Sequence, residues 1–213
     1  ILVVVCTASA VLAEWGFQAL CKQKITISDL SAAVTGLLLA LNLPASVTWW
    51  QAIIGSVIAV VVVKGLFGGI GKNFANPAIT ARIILLLAFS ASVGAAVQPV
   101  IVDATSTATP LTILKLDYGI LPSLFEMMIG LRGGAIGETC SLALILGGVY
   151  LMIRKVITWH TPVIFVGCVF LFTLILNGSL EFALYEVLSG GLLIGAIFMA
   201  TDYSTTPSRA WGK

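Results

Sequence analysis

Residues Val47–Leu66 read VTWWQAIIGSVIAVVVVKGL, an apolar run whose first charged side chain is Lys64. A helix needs about 20 mostly apolar residues to cross the hydrocarbon of a bilayer, and a helix apolar on every side belongs in lipid or in a large core. The same reading extends outward to Leu2–Leu20, Leu30–Leu43, Pro77–Val97, Gly134–Ile153, Pro162–Leu176 and Leu184–Ala200, which makes about seven spans. Leu30–Leu43 and Pro162–Leu176 are short for a full crossing. Short or interrupted helices are what transporter folds use to bring helix ends to the membrane midplane.

Composition points the same way. Hydrophobic residues make up 59% of the chain and charged residues 9%, with a mean hydropathy of +1.11, whereas soluble domains carry about 25% charge. A soluble globular domain is excluded. The formal net charge of +2, with no basic run interleaved with aromatics, leaves no basis for nucleic acid as a partner. Cys6, Cys21, Cys140 and Cys168 stand too far apart for a zinc or ferredoxin-type ligand set and are expected to be small buried hydrophobes. The chain opens at Ile1, without Met and already inside an apolar run, and is read as lacking its native N-terminus.

The expected fold is an all-α integral membrane protein, a multi-span helical bundle forming one transmembrane domain over residues 1–213. An internal echo suggests two inverted repeats with short or broken helices. Leu30-Ser31-Ala32-Ala33-Val34-Thr35-Gly36 resembles Leu188-Ser189-Gly190-Gly191-Leu192-Leu193-Ile194-Gly195, and the spacing of the spans makes the two run in opposite directions. Lys22 and Lys24, Lys64 and Lys72, Arg154 and Lys155, and Arg209 and Lys213 fall in every second connection, which marks those connections as cytoplasmic. Residues 98–133 then lie on the extracytoplasmic side.

That outer segment holds the longest run of small hydroxyl residues in the chain, Asp103-Ala104-Thr105-Ser106-Thr107-Ala108-Thr109-Pro110-Leu111. Such side chains cap helices, satisfy a loop's own backbone, line an ion path or carry a covalent group, and composition does not choose among these. Four other places carry polar chemistry. Gly65–Pro77 is a glycine-rich loop containing Gly68, Gly69, Lys72 and Asn73 and running into a helix that Asn76 can cap. It reads either as a tight re-entrant turn or as a cradle whose exposed N–H groups suit an anionic or electron-rich ligand. Glu138 stands at the start of the fifth span, as a first-turn acid favoured by the helix dipole or as an ion-path group. Glu186 lies inside the seventh span, where an ionisable side chain marks an ion or proton path by default. Asp202, in Asp202-Tyr203-Ser204-Thr205-Thr206-Pro207, reads as a ligand for a hard cation or as part of a helix-ending turn. Glu14 resembles Glu186, although Trp15 beside it argues for an interfacial position, and the Trp159-His160 pair reads as an interfacial anchor.

The order of the hydroxyl residues is specific: Asp103, Ser106, Ala108 and Thr109 resemble the flavinylation motif shared by the B subunit of sodium-pumping NADH:quinone reductase and the D subunit of the Rnf complex. Thr107 stands where those families often have Gly. Lys64–Arg82 (KGLFGGIGKNFANPAITAR), Gly137–Tyr150 (GETCSLALILGGVY) and Phe198–Pro207 (FMATDYSTTP) also look like the Rnf D subunit, so the resemblance covers most of the chain.

The resemblance implies a membrane subunit of an ion-translocating ferredoxin:NAD oxidoreductase in a bacterial or archaeal cytoplasmic membrane. It implies FMN joined to Thr109 through a phosphoester, with Asp103, Ser106, Thr107 and Ala108 around it and Gly68, Gly69, Lys72 and Asn73 helping to hold a flavin or shape the ion path. It leaves room for a second flavin, riboflavin. Glu186, Asp202 and Glu138 would serve sodium or protons. The partners implied are membrane lipid and the A, B, C, E and G subunits of the complex, which would bring the iron–sulfur clusters, a further FMN and the NAD site that this chain lacks. The chain would then act in a redox-driven translocase without being catalytic alone. The competing reading, a cofactor-free channel or secondary transporter for a small polar solute, fits the short helices and sparse charge and predicts a colourless protein.

Overall fold

The computed structural model describes residues 1–69, 71–73, 75–94, 96–97, 106–107, 110–116 and 121–202. Helix dominates them, because apolar segments in hydrocarbon must satisfy their own backbone hydrogen bonds. A small antiparallel pair, β1 (Ala96–Val97) and β2 (Ser106–Thr107), sets Ala96 opposite Thr107. The chain divides into two compact units, Ile1–Ala95 and Ala96–Asp202.

The first unit contains α1 (Leu2–Leu20), a 3-10 turn (Ile27–Asp29), α2 (Ser31–Asn42), α3 (Trp49–Val57), α4 (Pro77–Ala88) and α5 (Ser90–Val93), and α3 continues directly as a π-helix (Ile58–Gly65). α1 buries every fourth residue, Cys6, Ala10, Glu14 and Gln18. α2 buries Ala32, Gly36 and Ala40 at the same interval. Residues four apart share a helix face, and small ones let two backbones approach closely. A Cβ placed on Gly36 would lie 2.6 Å from the carbonyl oxygen of Cys6 and 2.9 Å from the Ala10 Cβ. Away from this seam Val4, Leu12, Trp15, Val34 and Leu37 are exposed, as a lipid-facing surface requires.

The second unit contains α6 (Pro110–Leu116), α7 (Leu124–Ile129), α8 (Ser141–Ile153), α9 (His160–Asn177), α10 (Leu180–Leu188) and α11 (Leu192–Ile194), the last running on as a π-helix (Gly195–Met199). α9 and α10 are joined through Gly178, whose φ of 64° is left-handed, and Ser179 caps α10 by accepting from Phe182 N–H at 3.3 Å. Between α10 and α11 the chain bends by 66°, with Gly190 at φ 61° in the break. Gly148 of α8 faces Ile197, and a Cβ there would come within 2.9 Å of it.

Among the described residues α1 and α9 are long and apolar enough to cross a membrane alone, α10 with α11 and its continuation forms a bent pair, and α2, Trp49–Gly65, α4 and α8 are shorter apolar helices. Each apolar run of the sequence holds one of these, and the short and broken helices are those of the expected membrane bundle. Three details differ. The sixth run is not short, because Pro162 sits in the first turn of α9, where a missing N–H costs nothing, and the helix begins before it at His160. α4 ends at Ala88 rather than running to Val97, since Phe89 leaves helical geometry at φ −131°, ψ 50° before the Ser- and Gly-bearing sequence beyond. α8 begins at Ser141 rather than Gly134, because the residues before it form a loop organised by their own polar side chains.

Candidate functional site

That loop, Gly130 to Cys140, connects α7 to α8. Arg132 is its anchor: only 2% exposed, it donates from Nε to the Thr139 carbonyl at 3.0 Å and from Nη2 to the Glu138 carbonyl and to Ser141 Oγ. Ser141 Oγ in turn donates to the carbonyl of Leu188, at the break after α10, at 3.4 Å. Buried backbone carbonyls need such donors where no helix supplies them. Glu138, also buried, accepts at Oε1 from Ala135 N–H at 2.9 Å. It precedes the Cys140 cap and is not a first-turn acid of α8, so the helix dipole does not account for it. The role of Arg132 is not among the sequence expectations; its adjacency to Gly133-Gly134 in an apolar chain is the signal that could have found it.

The glycine loop before α4 is built differently. Gly68, Gly69 and Gly71 have φ of 101°, 90° and 81°, backbone that side-chain-bearing residues avoid. Lys72 is exposed. Asn73 is buried and donates from Nδ2 to the Ala75 carbonyl at 3.0 Å. Asn76 Oδ1 accepts from Ala78 and Ile79 N–H at 3.1 and 3.3 Å, and Pro77 has no N–H to offer. The start of α4 is therefore closed by its own cap, contrary to the expectation of open N–H groups there; what remains accessible is the exposed ammonium of Lys72.

Inside the first unit lies a polar cluster centred on two residues that the charge pattern alone places at the periphery. Lys64 does not mark a loop: it is on the π-helix, 5% exposed, with Nζ 2.6 Å from Glu14 Oε1 of α1, itself 5% exposed. Trp15 faces away, 51% exposed, so Glu14 is interior rather than interfacial. Lys64 Nζ donates as well to Ser31 Oγ at 2.5 Å, and Ser31 Oγ donates to Asp29 Oδ1 at 2.5 Å. The turn that presents Asp29 is held by Gln18, which donates to Thr26 Oγ1 at 2.8 Å and accepts from Thr26 N–H at 2.9 Å. Partial burial raises the Asp29 carboxyl, but the two bonds from Ser31 and the charge of Lys64 outweigh it and hold it below its ordinary value.

The remaining expected positions are distributed as follows. Glu186 is half-buried on α10, three residues before the break, and Asp202 is half-buried with its N–H donating to the Met199 carbonyl at 3.2 Å. Ser106 and Thr107 form β2, and Pro110 begins α6. Asp103, Ala108 and Thr109 lie outside the described residues. The Trp159 and His160 rings stack at 4.0 Å. Of the cysteines only Cys6 is buried; Cys21 and Cys168 are exposed and Cys140 is half-buried, so the expectation of four buried hydrophobes holds for one.

Comparison with known proteins gives this architecture its relatives. The sequence profile described as the NQR2, RnfD, RnfE family matches residues 1–213. The chain is 41% identical to the D subunit of the Na(+)-translocating ferredoxin:NAD(+) oxidoreductase complex of Acetobacterium woodii, over 100% of this chain and 67% of that protein. It is 37% identical to the D subunit of the proton-translocating ferredoxin:NAD(+) oxidoreductase complex of Clostridium ljungdahlii, over 96% of this chain and 66% of that one. Identity is 34% to the D subunit of the ion-translocating oxidoreductase complex of Halorhodospira halophila, covering 88% and 62% of the two chains. The chain thus spans about two thirds of the length of these relatives. The resemblance to the Rnf D subunit carried by the four sequence stretches is borne out.

Proposed function

Because the chain belongs to the NQR2, RnfD, RnfE family, we propose that it is the membrane subunit through which an Rnf-type complex couples electron transfer from ferredoxin to NAD to the movement of sodium or protons. The observation that carries this reading is the 41% identity, across the whole chain, to a subunit of a complex named for that activity. The relatives include a sodium-translocating and a proton-translocating complex, so identity does not choose the ion.

In this reading Thr109 carries FMN through its hydroxyl, on the extracytoplasmic side, with Asp103, Ser106, Thr107 and Ala108 completing the motif. The donor chemistry fits: a phosphoester needs an alcohol, and Pro110, the first residue of α6, restricts the backbone just past it. FMN, when bound, supplies the redox chemistry, while the chain supplies position and electrostatics. In the first unit, Gly68, Gly69, Lys72 and Asn73 serve a flavin, riboflavin among the candidates, or the ion path, the exposed Lys72 offering its charge. In the second unit, Glu138, Glu186 and Asp202 serve the ion. A carboxylate at membrane depth is where a translocated cation or proton finds compensation, and its occupancy responds strongly to nearby charge in low dielectric. The A, B, C, E and G subunits supply the iron–sulfur clusters, a further FMN and the NAD site.

The test is the intact mass and ultraviolet fluorescence of the denatured chain, expressed with a flavin transferase, beside Thr109→Ala. A yellow adduct of FMN size on the wild type that disappears in the variant supports the reading. Wild-type chain without an adduct, despite active transferase, refutes the covalent cofactor and favours the cofactor-free transporter.

A further inference from the structure

We propose that Asp29, Ser31, Lys64 and Glu14 form a proton wire joining the aqueous end of the α1–α2 turn to a buried carboxylate inside the first unit. The inference rests on the ion-translocating reading above, and it concerns residues that reading leaves without a role.

The four side chains are continuous. Glu14 Oε1 to Lys64 Nζ is 2.6 Å, Lys64 Nζ to Ser31 Oγ is 2.5 Å and Ser31 Oγ to Asp29 Oδ1 is 2.5 Å, all within hydrogen-bond reach with no gap for an intervening molecule. The outer end, Asp29, is exposed, and the inner end is 5% exposed. The path therefore runs from water into the interior through titratable or hydroxyl groups alone.

The inner end is open on one side. Glu14 Oε2 is buried and has no hydrogen-bond partner among the described residues. An ion pair retained for stability recovers its desolvation cost only when the remaining lone pairs are also bonded. Here one oxygen holds the wire and the other is left open, the arrangement a carboxylate needs in order to take a proton on one side and pass it from the other. Lys64 also sits on a π-helix, a backbone form rare in proteins and concentrated at functional positions.

The cluster suits a proton rather than a metal cation. A hard cation such as calcium gathers about six to eight oxygens; here an ammonium already occupies the carboxylate. What the cluster can carry is what its own N–H and O–H groups exchange. Lys64 ammonium gives a proton to Glu14 Oε1, breaking an N–H bond and forming an O–H bond, and leaves a neutral amine. Ser31 gives its hydroxyl proton to that amine while its oxygen takes one from Asp29, which has been protonated from water. Lys64 and Ser31 end as they began, one proton has moved from solvent to Glu14, and no electron changes hands. The reverse sequence releases it.

The test uses the complete membrane complex containing this chain, reconstituted in proteoliposomes with reduced ferredoxin and NAD, with NADH formation and a pH-sensitive dye read together. The variants are Glu14→Gln/Lys64→Met, which removes both charges and leaves neither orphaned, and Asp29→Asn, which alters only the exposed end. The wire predicts that assembled complex keeps forming NADH under uncoupled conditions while proton movement slows by roughly 100-fold in the double variant, the order of loss when a positioned proton carrier is removed. It predicts a smaller slowing in Asp29→Asn, where water can reach Ser31. Wild-type proton movement in the double variant overturns the wire and leaves the pair a structural element. A wild-type complex that moves sodium but no protons also overturns it, with the ion-translocating reading intact; a wild-type complex that moves no ion at all removes that reading, and the wire with it.

Discussion

Substituting Gly36 tests the packing on which the first unit depends. The Cβ of Gly36→Ala would lie 2.6 Å from the Cys6 carbonyl oxygen and 2.9 Å from both Ala10 Cβ and Thr7 Cα, where ordinary contact begins at 3.4 Å. The obstacles are backbone and a β-carbon, so no rotamer change relieves them; α1 and α2 must part by up to about 0.8 Å. Overpacking of this kind costs about 1–3 kcal/mol, and the better helix propensity of Ala returns about 1 kcal/mol, which leaves a net loss near 1 kcal/mol for Gly36→Ala. Gly36→Val adds two methyl groups in the same gap without that return, for roughly 3 kcal/mol or more. Cys6, fully buried on the same seam, is a built-in reporter, and exposed Cys21 an internal control. A loss of 3 kcal/mol in the local opening equilibrium raises maleimide labelling of Cys6 by roughly 100-fold relative to Cys21. Gly36→Val with wild-type protection of Cys6 and an unchanged thermal midpoint would refute the close approach of the two helices.

Two further outcomes follow from the polar interior of the same unit. Lys64→Met alone strands a buried carboxylate at Glu14 and is expected to cost about 3–5 kcal/mol, whereas Glu14→Gln/Lys64→Met recovers most of it; thermal unfolding in detergent should rank wild type and double variant well above the single, and equal loss in both variants would mean that the charges are not coupled. Asp29 gives a pH signature. Its carboxyl is held below the ordinary 3.8, so folding favours the ionised form: the contribution is full above that value and disappears as pH falls through the lower folded-state value. The thermal midpoint of the wild type should therefore drop more steeply below pH 3.8 than that of Asp29→Asn, and parallel curves would show that the bonds from Ser31 do not stabilise the fold.

Much of the fold is legible in the sequence because lipid imposes one simple demand, an apolar helix, and the apolar runs declare where it is met. The caps are legible too: Asn76-Pro77 states the start of α4 in two residues. What cannot be read is the satisfaction of polar groups between distant positions. Ser141 reaching the carbonyl of Leu188, 47 residues further on, depends on how the helices pack, and no local period encodes that. The hydroxyl-rich motif is read from the order of its residues alone, and Asp103, Ala108 and Thr109 lie outside the described residues.

Lys64 is the instructive case, because its position is encoded in a period that the charge pattern masks. Charge at the end of an apolar run is ordinarily taken to leave the hydrocarbon. Yet Ala52, Ser56, Val60 and Lys64 fall on one buried stripe at intervals of four, as Cys6, Ala10, Glu14 and Gln18 do on α1. On a regular helix of 3.6 residues per turn such a stripe drifts steadily around the axis, and a wider π turn brings it back into line. The π-helix at Ile58–Gly65 carries Lys64 on the face that meets Glu14. A lysine out of phase with that stripe would have pointed to lipid and been driven to the interface; in phase, its charge is compensated, and the exposed Lys72 is left to carry the positive charge of the following loop.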